Sequence, residues 1–108
     1  MTDTLIIARA RPIVTINAVF FVYMVRCRDG TLYTGVARDP EKRLSVHNAR
    51  KGAKYTRSRL PVALVYVENC ESLSAALKRE HELKPLSRAK KEALIARADL
   101  KARQMLKP

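Results

Sequence analysis

Residues 19–36 read Val19-Phe20-Phe21-Val22-Tyr23-Met24-Val25-Arg26-Cys27-Arg28-Asp29-Gly30-Thr31-Leu32-Tyr33-Thr34-Gly35-Val36. Residues 19–26 are rich in β-branched and aromatic types and predict a strand. Asp29-Gly30 marks a turn, and Thr31 to Val36 predicts a second strand, so the pair is a hairpin. Loop length decides which side chains share a face. A two-residue loop pairs Arg28 with Thr31 and sets Arg26 opposite Tyr33, leaving Tyr23 on the other face. A three-residue loop, Arg28-Asp29-Gly30, pairs Cys27 with Thr31 and gives Gly30 the left-handed position such loops favour. Val25 then faces Tyr33, and Tyr23 and Tyr33 share one face of the sheet. The second register is expected.

Downstream of the hairpin, Asp39 can cap the free N–H groups of a helix, and Pro40 suits its first position. That helix is expected to run to about Ala49. Residues 50–61 predict a basic loop carrying Gly52 and closed by Pro61. Val62 to Val67 is apolar on both faces and predicts a third strand, placed at the centre of the sheet. Ser72 opens another helix with Leu73, Ala76, Leu77, Leu83 and Leu86 on or near one stripe. Pro85 ends or kinks it, and Ser87 restarts a helix through Ile95. The order ββαβαα predicts a small α/β (α+β) domain with a three-stranded, mainly antiparallel sheet flanked by helices. Its expected limits are 18–96, between a flexible extension at 1–17 and a basic tail at 97–108 able to prolong the last helix.

The chain has 108 residues, 22 Lys and Arg against 10 Asp and Glu, and a formal net charge of +12. Such a balance favours a polyanionic partner, whether DNA, RNA or an anionic membrane surface, although a well-solvated surface is the bland alternative. Cys27 and Cys70 form no CxxC, and His47 and His81 lack zinc-finger spacing, which argues against structural zinc. Two reduced thiols fit a cytoplasmic protein. Ile13 to Val25 is too short for the roughly 20 apolar residues that span a bilayer. No small-residue cleavage site follows it, so neither an anchor nor a secretory signal is expected. The C-terminal tail lacks the aromatic-rich amphipathic face of a membrane-surface helix, so no membrane partner is expected.

Several side chains invite chemistry. Arg43 and His47 stand four apart on the first helix and project from one face. There they could meet a phosphate and move a proton, or simply be solvated. Glu80 lies three after Leu77 and three before Leu83. A carboxylate in an apolar stripe needs a cation, strong donors or a raised pKa. A metal ion, Arg43 or a tyrosine hydroxyl would serve, and a salt bridge to Lys84 competes with all three. A lone carboxylate also suits Mg²⁺, which keeps most of its waters.

The tripeptide Phe21-Val22-Tyr23, nine intervening residues, then Tyr33-Thr34-Gly35 resembles the paired tripeptides of the GIY-YIG nucleases. Phe21, Val22 and Thr34 depart from that pattern, while both tyrosines and Gly35 keep it. Arg43 lies where the family places its helix arginine, His47 one turn later where members carry His or Tyr, and Glu80 where they carry a metal-binding glutamate. The loop Gly52 to Arg57 and the run Ser87 to Leu94 resemble the small stand-alone bacterial branch. After Glu80 the sequence has no asparagine, whereas many family nucleases carry one late in the domain. The resemblance covers about residues 19–95 and implies a metal-dependent endonuclease leaving 5′-phosphate and 3′-hydroxyl ends, in DNA repair or processing. By the same resemblance Glu80 would hold one Mg²⁺ or Mn²⁺, and Arg43 would contact the scissile phosphate. Tyr23 would activate water with His47 or Tyr33 assisting. Lys54, Arg57, Arg59, Lys84, Arg88, Lys90 and Lys91 could grip flanking phosphates without reading sequence. The expected assembly is a monomer or weak dimer. The competing function is a nucleic-acid-binding module that keeps this fold with weak or no catalysis.

Overall fold

A computed structural model describes residues 20–106 of the chain; the expected extension at 1–17 lies outside the described residues. Strand β1 (Phe20–Arg26) and strand β2 (Leu32–Ala37) form the hairpin, followed by helix α1 (Pro40–Asn48), the single-turn helix α2 (Lys54–Arg57) and strand β3 (Ala63–Cys70). Helices α3 (Leu73–Leu83) and α4 (Arg88–Leu106) complete the domain. The three strands make one antiparallel sheet in the order β2-β1-β3.

The hairpin takes the three-residue register. Val25 pairs with Tyr33 and Tyr23 with Gly35. The Cys27 N–H donates to the Thr31 carbonyl at 2.8 Å, and Gly30 has φ 87°, a left-handed conformation that costs glycine nothing. Asp29 secures the turn by accepting from the Thr31 hydroxyl at 2.6 Å and from its N–H at 3.1 Å. The parity of this loop puts Tyr23, Val25 and Tyr33 on one face, and Val22 and Met24 on the other.

The expectation that the third strand is central is corrected. β1 is central, and its run Val22 to Val25 is buried throughout. β3 is an edge strand whose Ala63, Val67 and Asn69 are exposed. Its two-faced apolar character has another cause. Met24 pairs with Tyr66 while Val25 pairs with Leu64, so Val65 is an extra residue in a β-bulge. Leu64 and Tyr66 would share a face in a regular strand. Across the bulge they separate, Leu64 packing with Tyr23 and Val25, and Tyr66 packing with Val22 and Leu83.

Helices cover both faces. Asp39 caps α1 by accepting from the Lys42 N–H at 3.1 Å, with Pro40 at the first position. Asn48, at the end of α1, accepts from the Val62 N–H at 2.8 Å and donates to its carbonyl at 3.0 Å. That pair of bonds ties the helix to the approach of β3. On the opposite face, Ser72 caps α3 through the Ala75 N–H at 3.1 Å. The stripe expected on α3 is shifted. Ala76 and Leu83 are buried, but Leu73 and Leu77 are 46% and 48% exposed. At roughly 100° per residue, Leu77 stands a quarter turn from Ala76, beyond the buried arc, and Glu80 falls at about 40°, on its rim. The basic segment expected as a tail from residue 97 is continuous with α4 to Leu106. Within the expected loop 50–61, Lys54 to Arg57 form one helical turn.

Candidate active site

Tyr23 is 1% exposed at the middle of β1, and its ring lies across Gly35 of the neighbouring strand. A Cβ at position 35 would stand 2.6 Å from the Tyr23 hydroxyl oxygen. Glycine is required there because the ring occupies the space a side chain would take. The hydroxyl lies 3.0 Å from Nε2 of His47. His47 is fully buried, so the solvated helix face considered for it is corrected. Loop 50–57 folds over the imidazole and removes it from water. Its Nδ1 lies 2.9 Å from the Thr56 hydroxyl, itself fully buried, which donates to the Ala53 carbonyl at 2.9 Å. Gly52 permits this closure, since a Cβ there would collide with His47 Nδ1.

Arg43, one turn before His47, places its positive charge beside both residues. Burial pushes the Tyr23 phenol above its ordinary value, against the lowering effect of Arg43. Burial, then the Arg43 charge, holds His47 below its ordinary value. Both groups are therefore neutral at neutral pH. Tyr33 is half-buried and sits edge-on to His47 with ring centroids 5.4 Å apart. It also stacks on Tyr55 at 6.0 Å, and the Arg59 guanidinium lies over the Tyr55 ring at 3.9 Å. Sequence reasoning named Gly35 and Gly52 without giving them a part in the site and did not single out Tyr55 or Thr56. The two glycines, each in a short polar or aromatic context, were the available signal.

The Glu80 side chain is 19% exposed and pairs loosely with Lys84, Nζ to carboxylate 3.4 Å. Of the partners considered for it, the recorded one is Lys84, whose own side chain is 55% exposed and free to swing away. The Glu80 charge reaches Tyr23, where it opposes ionisation of the phenol. The Tyr23 hydroxyl thus meets His47 directly and lies within electrostatic reach of Tyr33, Arg43 and Glu80.

The donor set constrains what metal could bind. Among the described residues no group of three or more His, Cys, Asp or Glu side chains is placed to hold an ion. A dehydrated cage of carboxylates does not fit. A hard cation that keeps most of its waters and takes one carboxylate, Glu80, does.

The basic residues divide. Lys54 and Arg57 are exposed on α2, beside Tyr55 and Thr56. Lys84 lies against Glu80. Arg59 is committed to Asp29 at 3.1 Å and to the Tyr55 carbonyl at 2.7 Å. Arg88 pairs with Glu92 at 3.6 Å and reaches toward Gly30. Lys90 and Lys91 belong to α4, in the helix layer across the sheet from His47. No helix among the described residues is long and apolar enough to cross a membrane.

This arrangement has relatives. A family model described as the GIY-YIG catalytic domain matches residues 19–93. The chain is 57% identical over 76 residues to a UPF0213 protein of Natronomonas pharaonis, a match spanning 70% of this chain and 89% of that protein. A UPF0213 protein of Staphylococcus saprophyticus is 55% identical over 76 residues, spanning 70% and 93%. The solution NMR structure of a protein from E. faecalis is similar with a TM-score of 0.52 and 38% identity, covering 76% of this chain and 88% of that one.

Proposed function

The chain belongs to the GIY-YIG catalytic domain family, a nuclease family, and from that premise we propose that it is an endonuclease hydrolysing DNA phosphodiester bonds with one divalent cation. The observation that carries this reading is the buried Tyr23–His47 pair, 3.0 Å apart, with the charges of Arg43 and Glu80 near enough to bias the phenol in opposite senses.

In this reading the attacking water loses its proton to the Tyr23 oxygen as the phenolic proton moves to His47 Nε2. No tyrosinate has to form in advance, which suits a phenol whose burial disfavours the anion. The new oxygen–phosphorus bond forms opposite the 3′-oxygen, whose bond to phosphorus breaks. That oxygen takes a proton from solvent, leaving 3′-hydroxyl and 5′-phosphate ends. Arg43, its charge beside Tyr23, has five N–H donors with which to bind the non-bridging phosphate oxygens where charge grows. Tyr33 packs against the imidazole and limits its rotation. Held by Glu80, Mg²⁺ or Mn²⁺ would supply Lewis-acid neutralisation of the phosphate and the departing oxygen.

Lys54 and Arg57, exposed on α2 beside Tyr55 and Thr56, and Lys84, against Glu80, would hold flanking phosphates. Arg59, Arg88, Lys90 and Lys91 would extend the grip. Such contacts fix register without reading bases, which supports structure-directed or weakly specific cutting of DNA, with RNA as a competing substrate. A sharp consensus among mapped cleavage sites would contradict that part.

The test is cleavage of plasmid, branched DNA and RNA by wild type and Glu80→Ala, with Mg²⁺, Mn²⁺ or chelator. The expected result is metal-dependent cutting with 5′-phosphate ends, lost in the variant. Two equally inert proteins that both bind DNA would instead make the chain a binding module.

A further inference from the structure

Four groups form a continuous chain through the buried site: Tyr23, His47, Thr56 and the Ala53 carbonyl. One end has fixed chemistry. A carbonyl only accepts. Thr56 has one hydroxyl proton. Donated to Ala53 at 2.9 Å, it leaves Thr56 able only to accept from His47 Nδ1, at 2.9 Å. His47 must then carry its proton on Nδ1, and Nε2 presents a lone pair to the Tyr23 hydroxyl at 3.0 Å. Tyr23 donates to Nε2, beside the Arg43 charge. Every group is satisfied, and every bond runs in one direction.

The opposite tautomer fails this accounting. With the proton on Nε2, Nδ1 needs the Thr56 proton, and the Thr56 and Ala53 oxygens face each other at 2.9 Å with no hydrogen between them. The Tyr23 proton also loses its acceptor, because Arg43 cannot accept. Buried polar groups left without partners cost about 1–3 kcal/mol each.

We infer that Thr56 is a positioning residue: its hydroxyl fixes His47 as the Nδ1–H tautomer and so makes Nε2 the acceptor for the Tyr23 proton. The catalytic consequence rests on the nuclease reading of Tyr23 and His47; the tautomer does not. The ordinary role for a buried threonine, filling space under a loop, predicts no effect on which nitrogen is protonated. Gly52 strengthens the assignment. Its missing side chain lets the same loop press against Nδ1, so residues 52–56 act as a backbone-and-hydroxyl cradle for one edge of the ring.

The experiment is long-range ¹H–¹⁵N spectroscopy of the histidines in the metal-free, full-length protein, beside Thr56→Val and Thr56→Ser. His81, exposed on α3, serves as the internal reference. Wild type and Thr56→Ser are expected in the Nδ1–H form, and Thr56→Val is expected to lose it. In cleavage assays Thr56→Val should lower kcat about 10- to 100-fold with KM little changed, and Thr56→Ser should restore it, as expected for a group acting on proton transfer. A wild-type His47 protonated on Nε2 overturns the inference without any variant. So does an unchanged tautomer in folded Thr56→Val. Should wild type cut no nucleic acid while the tautomers behave as expected, Thr56 keeps its hold on His47 and the nuclease reading falls instead.

Discussion

The two faces of the sheet are equally dry and chemically opposite. On the α1 side, Tyr23, His47 and Thr56 are buried with every polar atom partnered. On the α3 side, Val22, Ala76 and Leu83 form an aliphatic layer, and the one buried hydroxyl facing that way, Thr34 Oγ1, has no partner among the described residues. Alternation along β1 alone separates them, since Val22 and Tyr23 are neighbours in sequence. Burial on the α3 side serves cohesion. On the α1 side, in the nuclease reading proposed above, it would serve proton transfer, because dehydrated groups hold their hydrogen-bond directions and keep Tyr23 and His47 neutral.

Substitutions on each face should break this contrast in different ways. Gly35→Ala inserts a methyl group 2.6 Å from the Tyr23 hydroxyl. The ring must move, and a displacement of that kind costs about 100-fold in rate, with about 1–3 kcal/mol of stability lost to overpacking. Single-turnover cleavage and denaturant titration of the same sample measure both; a full rate would detach Tyr23 from the chemistry. Leu83→Ala belongs to the other face. It should cost about 2–5 kcal/mol in stability and leave the rate per folded molecule unchanged, so a change in that rate would show that the faces are coupled. Thr34→Val removes an unpartnered buried hydroxyl at nearly constant volume and should stabilise the fold by about 1 kcal/mol. A loss of stability would mean that the hydroxyl has a partner after all.

The smallest effect is on the pH dependence of stability. The unfolded chain protonates His47 near its ordinary value of 6.5, but burial and Arg43 delay protonation in the folded state to lower pH. Between those values the unfolded state holds the extra proton, so stability rises with pH. The contribution is fully present above about 6.5 and is lost as pH falls toward the folded value. Urea midpoints from neutral to mildly acidic pH should therefore fall more steeply in wild type than in His47→Gln. Parallel curves would place His47 in water.

What could be read in the sequence follows the range of the interactions. The hairpin register was legible because a local loop of three residues and the parity of two tyrosines decide it. Asp39 and Ser72 as helix caps are equally local. The burial of His47 was hidden, because α1 is polar around most of its surface and the covering loop arrives nine residues later. Gly52 was the only trace of that contact. β3 read as central because a bulge at Val65 lets one edge strand feed both cores, and no residue type announces a bulge. On α3, the Leu73 and Leu77 pair drew the stripe away from the arc of Ala76 and Leu83, so Glu80, read as inside the stripe, sits on the rim of the buried arc.

The most direct test of the account is single-turnover cleavage of DNA by Tyr23→Phe with Mg²⁺ or Mn²⁺, with circular dichroism and DNA affinity measured on the same protein. Only one oxygen is removed, and the ring that packs over Gly35 is kept. The account predicts native folding and affinity with a rate lower by about 10²- to 10⁴-fold, the usual share of a positioned proton-transfer group. A rate within threefold of wild type would contradict it, leaving Tyr23 and His47 a buried polar pair with no part in the reaction.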